Sequence, residues 1–377
     1  MTDLRSKFET AEAYINECVF ERRREIHMMM AATLAKQHVF LIGPPGTGKS
    51  MMIRKMLNCF AEDMELFNIL LAKETSKDEV FGPPSISALK DDRYEYKYET
   101  YIPTADFAFL DEIWKCNSGV LNGLLMAVNE RKFKNGTEEI DVPLNSLFCA
   151  SNELPQDDSL EALYDRLLVR MDCPPMLLDE SWRKFYDRRD GTDTEPDAPK
   201  VLTQDVLEAA RAEVQQIRFG SNAFDAWREL QQKIKLKFAD ACYISPRRWG
   251  AAYDTLKASV WLNGGTEITT DSFALAVDML WNEPQQRKKI VSLLSEFISP
   301  ITNEAQKAYN AIHSTIEAVN EGRLEEDDLA VAYMDAKDAK KKLDRMAGGS
   351  AVFEQYKAKF EDAFKMVSDR YFEMQGM

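Results

Sequence analysis

A chain of 377 residues is longer than one ordinary hydrophobic core supports and leaves room for two or three domains. Its composition, 45% hydrophobic and 29% charged, is that of a globular protein, and no apolar run reaches the length of a membrane-spanning helix, so a soluble protein is expected. With 63 acidic against 48 basic residues the formal net charge is -15, which argues against a broad phosphate-tracking surface while leaving a local basic channel open.

The N-terminal stretch MTDLRSKFETAEAYINE mixes charged and apolar residues at helical spacing and offers no apolar signal core or small-residue cleavage site, so a mature cytoplasmic protein is expected. Between about residues 20 and 175, short apolar runs alternate with helical patterns, the mark of an α/β domain with a parallel sheet and helices on both faces. His38 to Ile42 is the clearest strand; Glu65 to Leu71, Phe107 to Leu110 and Leu147 to Ala150 are further runs, each continuous as buried parallel strands are. Two segments break this rhythm. From Arg93 to Tyr101, Tyr94, Tyr96 and Tyr98 alternate with Glu95, Lys97 and Glu99, which predicts a strand with aromatics on one face. From Arg131 to Val142, Asn135-Gly136 sits between strand-like flanks and predicts a hairpin whose two turn positions take positive φ.

The polar stretch Arg188 to Lys200 reads as a loop, and residues 201 to 282 as amphipathic helices, one of them opened by Ser245 as N-cap and Pro246 in the first turn. After Pro284 and Pro300 come three helical stretches, about 301 to 320, 324 to 346 and 350 to 375, broken by Gly322 and Gly348-Gly349; a three-helix bundle or arm is the simplest packing. The expected domains are thus 1–185, an α/β core; 186–285, a helical lid; and 286–377, a helical arm.

The residues suited to chemistry follow the same order. Gly43-Pro44-Pro45-Gly46-Thr47-Gly48-Lys49-Ser50 directly follows the first strand and precedes the helical run that starts at Met51. Glycines there let backbone N–H groups curl around a phosphate, the helix N-terminus adds its dipole, Lys49 suits the β and γ phosphates, and the Ser50 hydroxyl suits Mg²⁺. Phe107 to Leu110 runs into Asp111 and Glu112, the first placed to hold Mg²⁺ and the second to activate a water, although either acid alone also reads as a cap on a helix from Ile113. Asn152 ends the next apolar strand, where an amide can hydrogen-bond the attacking water and the γ-phosphate. Arg166 and Arg170 share one helical or near-helical segment; phosphoryl transfer gains from a cation supplied by a neighbouring subunit, and Arg166 is favoured for this with Arg170 in reserve. Arg247 and Arg248 stand at a helix start, where acids are the usual choice, and this hints at a functional role. The cysteines Cys18, Cys59, Cys116, Cys149, Cys173 and Cys242 form no CxxC pair, and with His27, His38 and His313 alone to help, reduced buried thiols are favoured over a zinc site.

Taken in order, GPPGTGKS, FAFLDE, ASNE, DRLLVR and SPRRW resemble an AAA+ module of the MoxR family, and Phe20-Glu21-Arg22, Asp111 to Lys115 and Leu160 to Arg166 look like its RavA-like branch, over about residues 15 to 285. That resemblance implies that Gly43 to Ser50 is the Walker A loop, Asp111 and Glu112 the Walker B acids, Asn152 sensor 1, Arg166 the arginine finger and Arg247 sensor 2, with Val19 and Phe20 beside the adenine. It further implies ATP and Mg²⁺ as cofactors, a helix-2 insert and a pre-sensor-1 hairpin facing a central pore, and a hexameric ring. Such rings act as chaperone-like remodellers of a partner protein, often beside a von Willebrand factor A domain protein. The C-terminal third is similar to the three-helix arm of that branch without the small β-rich domain inserted there. Two rival readings stand beside the remodeller: a nucleic-acid motor or restriction-type subunit, favoured by Lys132 and Lys134 but not by Glu138, Glu139 and Asp141, and a nucleotide-gated scaffold, against which an intact Glu112 and Arg166 speak.

Overall fold

The computed structural model describes residues 3–155, 160–238, 242–320, 326–346 and 351–374. Two helices, α1 (Asp3–Cys18) and α2 (Arg23–Leu34), precede β1 (Val39–Ile42), whose four residues are all buried. The loop after β1 enters α3 (Lys49–Leu57), followed by β2 (Leu66–Leu70), α4 (Lys77–Phe81), α5 (Ile86–Lys90), β3 (Phe107–Asp111), α6 (Ser118–Asn129), β4 (Lys132–Asn135), β5 (Glu138–Asp141), β6 (Ser146–Ser151), α7 (Glu161–Tyr164) and β7 (Val169–Asp172). The main sheet has the order β2-β3-β6-β1-β7, every pairing parallel. Apolar residues without alternation suit its inner strands because both faces are covered. β2 departs from that expectation: it is an edge strand with one neighbour, and Leu66 and Leu70 are 42% and 65% exposed.

The inserted segments fold against each other. The tyrosine stretch is not a strand; it makes one antiparallel bridge, Pro84 opposite Tyr96, through Ser85 N–H to the Glu95 carbonyl (2.7 Å) and Lys97 N–H to the Pro83 carbonyl (2.8 Å). The alternation is used for packing, since Tyr96 and Tyr98 lie against Phe133 of β4 while Tyr94 stays exposed. Gly82, with φ +97°, makes this crossing possible: a Cβ there would lie 1.9 Å from the Lys97 carbonyl oxygen. The β4–β5 hairpin forms as expected, but its register sets Asn135 opposite Glu138, so the turn is Gly136-Thr137 with positive φ at Gly136. Asn135 instead spends its side chain on the neighbouring insert, accepting the Tyr96 N–H at 2.6 Å.

Beyond β7, α8 (Asp179–Arg189) extends into the stretch expected as loop, and α9 (Gln204–Val214), α10 (Ala223–Phe238) and α11 (Pro246–Leu262) form the helical lid, joined by a 3-10 segment, Thr270–Met279, and α12 (Pro284–Leu294). Ser245 caps α11 as its sequence suggests, its hydroxyl accepting the Arg248 N–H at 3.2 Å. One continuous core runs from Phe8 to Ile298 through sheet and lid. A separate core, which includes Ala305, Ile312, Leu329, Phe353 and Phe360, holds together α13 (Pro300–Asn320), α14 (Glu326–Asp344) and α15 (Ala351–Met374). The expected breaks at Gly322 and Gly348-Gly349 lie outside the described residues. Among the described residues, no helix is long and apolar enough to cross a membrane.

Candidate nucleotide site

The loop between β1 and α3 is shaped by its glycines. Gly43 passes so close to the end of β7 that a Cβ would lie 2.4 Å from the Cys173 carbonyl oxygen. Gly46 and Gly48 take φ +81° and +82°, left-handed values of the kind that let successive N–H groups turn to one side, as an anion nest requires. Lys49 is buried at the start of α3, its ammonium donating to the Gly43 carbonyl (2.7 Å) and the Pro44 carbonyl (2.8 Å) of its own loop. Burial lowers its pKa from the ordinary lysine value. Thr47 closes the turn with a hydroxyl donated to Pro44 (3.0 Å), while Pro44 and Pro45 are exposed.

Register brings the other sequence candidates to this end of the sheet. Asp111 pairs with Ala150, and Ile42 with Ser151, so the loop after Ile42, the Asp111-Glu112 pair and the exposed Asn152 all leave their strands on the same side. Ser50 donates its hydroxyl to Asp111 Oδ2 at 2.6 Å, and Asp111 Oδ1 accepts the Glu112 N–H at 3.1 Å. No long helix follows; Ile113–Lys115 is a single 3-10 turn, and α6 begins only at Ser118. Glu112 has φ 54° and ψ 44°, a left-handed backbone rare for glutamate, and its Oε2 lies 3.2 Å from Lys115 Nζ. Val19 and Met51 flank the other side of the loop: a Cβ on Gly48 would meet them at 3.8 and 3.9 Å. Phe20, half buried, stacks beneath the Arg188 guanidinium at 5.0 Å.

The arginines separate into two groups. Arg166, half buried, follows α7 and donates to the Asn129 side chain and to the Ala162 carbonyl (2.7 Å). Arg247 is exposed at the start of α11, 4.0 Å from Asp165, which also accepts from Ser245 (3.4 Å). Burial, and next the nearby Arg247, lower the Arg166 pKa, so these two cations are neighbours; none of their hydrogen bonds reaches the Gly43 to Ser50 loop. Arg170 does not belong with them. It sits on β7 rather than on a helix with Arg166, is 1% exposed, and donates to the carbonyls of Tyr164 (2.7 Å), Leu167 (2.9 Å) and Trp281 (2.7 Å) and to the Asn282 side chain (2.9 Å). Arg248, 2% exposed, reaches the same turn from the lid, donating to the Met279 (2.9 Å) and Trp281 (2.6 Å) carbonyls and to Asn282. Burial, and secondarily Arg170, bring its pKa down to about 9. A reserve finger must be accessible, so Arg170 is corrected to a clamp between core and lid.

The six cysteines are free and buried, and burial raises Cys18, Cys59 and Cys173 to about 12, which leaves them protonated and unreactive. Among the described residues, no three His, Cys, Asp or Glu side chains are placed to hold a metal ion on their own. In the sequence Glu21 and Arg22 stand out only as part of the Phe20-Glu21-Arg22 motif. Arg22 in fact donates to the Thr47 carbonyl of the loop at 3.2 Å, a contact across 25 positions that periodicity does not reveal.

A family model for the MoxR domain in the MoxR-vWA-beta-propeller ternary systems matches residues 6–188, and an AAA lid domain model matches residues 224–294. The chain belongs to the MoxR family of AAA+ ATPases. This MoxR-family chain is 33% identical over 316 residues to an uncharacterized protein of Methanocaldococcus jannaschii, MJ0812, covering 82% of each chain. It is 26% identical over 188 residues to Protein MoxR of Paracoccus denitrificans, a match covering 46% of this chain and 52% of that one. Among solved structures, a Cytophaga hutchinsonii protein assigned as an ATPase superposes with a TM-score of 0.62 at 17% identity, over 78% of this chain and 95% of that one, a likeness of fold.

Proposed function

We propose that this chain binds and hydrolyses ATP with Mg²⁺ in a head-to-tail hexameric ring and uses the cycle to remodel a partner protein in the cytoplasm, together with a von Willebrand factor A domain protein. The observation that carries the nucleotide assignment is the Ser50–Asp111 contact of 2.6 Å below a glycine nest whose lysine is turned inward. A hydroxyl and a carboxylate oxygen converging beside a phosphate nest are the hard donors a Mg²⁺ ion takes, and the ion would neutralise charge on the β and γ phosphates. Lys49 gives up the Gly43 and Pro44 carbonyls for phosphate oxygens, and the backbone N–H groups of Gly46 to Ser50 orient the chain of phosphates. Val19, Phe20 and Met51 border the base. Glu112 orients a water and accepts its proton, with Asn152 positioned to hold both that water and the γ-phosphate.

Support for the ring comes from the arginines. Arg166 and Arg247 stand together around Asp165 and make no bond to their own loop, so they are best used on the loop of the next subunit, and identical surfaces meeting head to tail close into a ring. Support for a von Willebrand partner is the description of the matching family, and support for the remodelling role is the likeness of the motifs to the RavA-like branch. The nucleic-acid reading is weakened at the hairpin, where one of its two lysines, Lys132, pairs with Asp141 (2.7 Å) and Glu139 (3.4 Å).

A mixing experiment tests the shared site. Arg166→Ala and Glu112→Gln subunits are each inactive alone and regain part of the ATPase activity when mixed, because some interfaces then pair an intact Glu112 with an intact Arg166. Mixed rings that stay inactive sink the shared-site assignment.

A further inference from the structure

Two residues ahead of α2 tie the phosphate loop to chain that is remote in sequence. Glu21 has φ 61°, a left-handed value a glutamate holds only when its surroundings fix it, and its carboxylate accepts the N–H groups of Leu177 (2.9 Å) and Leu178 (3.0 Å). Arg22 is 2% exposed; it donates to the Thr47 carbonyl of the loop (3.2 Å), to the Pro174 carbonyl just past β7, and to the Glu21 carbonyl (3.0 Å). Leu177 and Leu178 pack on the separate core of the C-terminal bundle. With Ile316, Leu329 and Val367 they line a cavity of about 260 Å³ between the start of α8 and the bundle. Arg23, next in the chain, pairs with Asp362 of α15 at 3.1 Å.

We propose that Glu21 and Arg22 are positioning residues that couple the phosphate loop to the C-terminal bundle, so that nucleotide in the loop changes how residues 174–178 sit on α13 and α15. The proposal rests on the nucleotide reading of the loop. A bound phosphate draws Lys49 away from the Gly43 and Pro44 carbonyls, so the loop has two arrangements with different internal bonds. Thr47 lies in the moving part. A buried guanidinium does not readily abandon a carbonyl acceptor, so Arg22 follows Thr47, and Pro174 follows Arg22. Glu21 passes the same shift to the Leu177 and Leu178 amides. The cavity supplies the room, which a close-packed contact would not.

Amide hydrogen exchange on the full chain, with and without ADP and magnesium, tests this coupling. Wild type is expected to change exchange by at least about threefold at Met176 to Leu178 and in the Ile316 and Val367 regions on binding ADP. Glu21→Gln keeps ADP affinity within about threefold yet loses the response in the bundle, since an amide has one acceptor oxygen for two N–H donors. Arg22→Lys, which keeps the charge but not the fork, loses the response and raises the KM for ATP about tenfold with a smaller effect on kcat. A bundle that responds unchanged in both variants overturns the coupling, as does a wild type that binds ADP while Met176 to Leu178 and the bundle ignore it; this wild-type arm decides the matter even if the variants fold poorly. A wild type that binds no ADP overturns the nucleotide reading itself, and the coupling falls with it.

Discussion

Replacing Arg170 separates a clamp from a catalytic cation. In Arg170→Met the side chain keeps an apolar stem, but the Tyr164 and Leu167 carbonyls lose the guanidinium as donor, the Trp281 carbonyl and the Asn282 amide oxygen are left with Arg248, and the Tyr164 ring loses the cation that covered it at 3.7 Å. Hydrogen bonds from a charged group are worth about 1.5 to 3 kcal/mol each, but members of one network are not additive, and relief of the desolvation that lowers the Arg170 pKa offsets part of the loss. A net destabilisation of roughly 3 to 4 kcal/mol follows, an apparent thermal midpoint lower by about 6 °C at the size of the sheet-and-lid unit. Arg166 is half buried and held, among the described residues, by Asn129 and Ala162, so Arg166→Met is expected to change stability by about 1 kcal/mol or less while abolishing ATPase activity. Scanning calorimetry paired with steady-state ATPase rates well below the midpoint reads both effects. An Arg170→Met protein that melts with wild type and has lost its ATPase activity refutes the clamp.

The remaining expectations concern the loop and the sheet. Glu112→Gln is expected to lower ATP turnover by roughly 10² to 10⁴ while nucleotide binding persists, and Lys49→Ala to weaken binding itself, as read by fluorescent-nucleotide titration beside ATPase rates. Gly43→Ala sets a methyl 2.4 Å from the Cys173 carbonyl, and the resulting strain of about 2 kcal/mol should weaken nucleotide binding roughly thirtyfold in the same titration. His38 accepts the Leu147 N–H at Nδ1 (3.0 Å), and burial pushes its pKa down to about 3. Its folded value lies below the unfolded one of about 6.5, so its contribution is complete above pH 6.5 and is lost as pH falls towards 3, by about 1.4 kcal/mol per unit; urea midpoints between pH 7 and 4 should fall less steeply for His38→Gln.

How far the sequence reveals this molecule depends on how local each feature is. The phosphate loop and the Asp111-Glu112 pair were legible because strand, turn and ligand lie within a dozen residues, and each strand is apolar enough to be recognised alone. The helical lid and three-helix arm were legible from apolar spacing, and Ser245 as a cap from one residue and its proline. The tyrosine stretch misled because alternation reports one buried face and not what covers it; here Phe133 does, without a ladder. Arg170 misled because a cation four residues from Arg166 is the same letter whether it faces solvent or the Trp281 carbonyl, and only the start of β7 between them turns it inward. Glu21 and Arg22 were invisible for a similar reason: Leu177 and Pro174 lie about 150 positions away and contribute backbone atoms, which carry no sequence signature.

Under the proposed shared site, the two adjacent arginines of α11 give a reason for a cation at a helix start. Neighbouring helical positions point about 100° apart, so a helix that buries Arg248 must turn Arg247 outward. Arg248 fixes α11 to Met279 and Trp281, Arg170 fixes β7 to the same turn, and Asp165 holds Ser245 and Arg247 beside Arg166. Any motion that drew α11 off this turn would strip a buried guanidinium of its acceptors, at a cost well above that of an exposed ion pair. Keeping the clamp closed and presenting Arg166 and Arg247 together to an adjoining loop requires no such rupture. The clamp therefore favours a division of labour in which each subunit contributes its phosphate nest to one neighbour and its paired cations to the other.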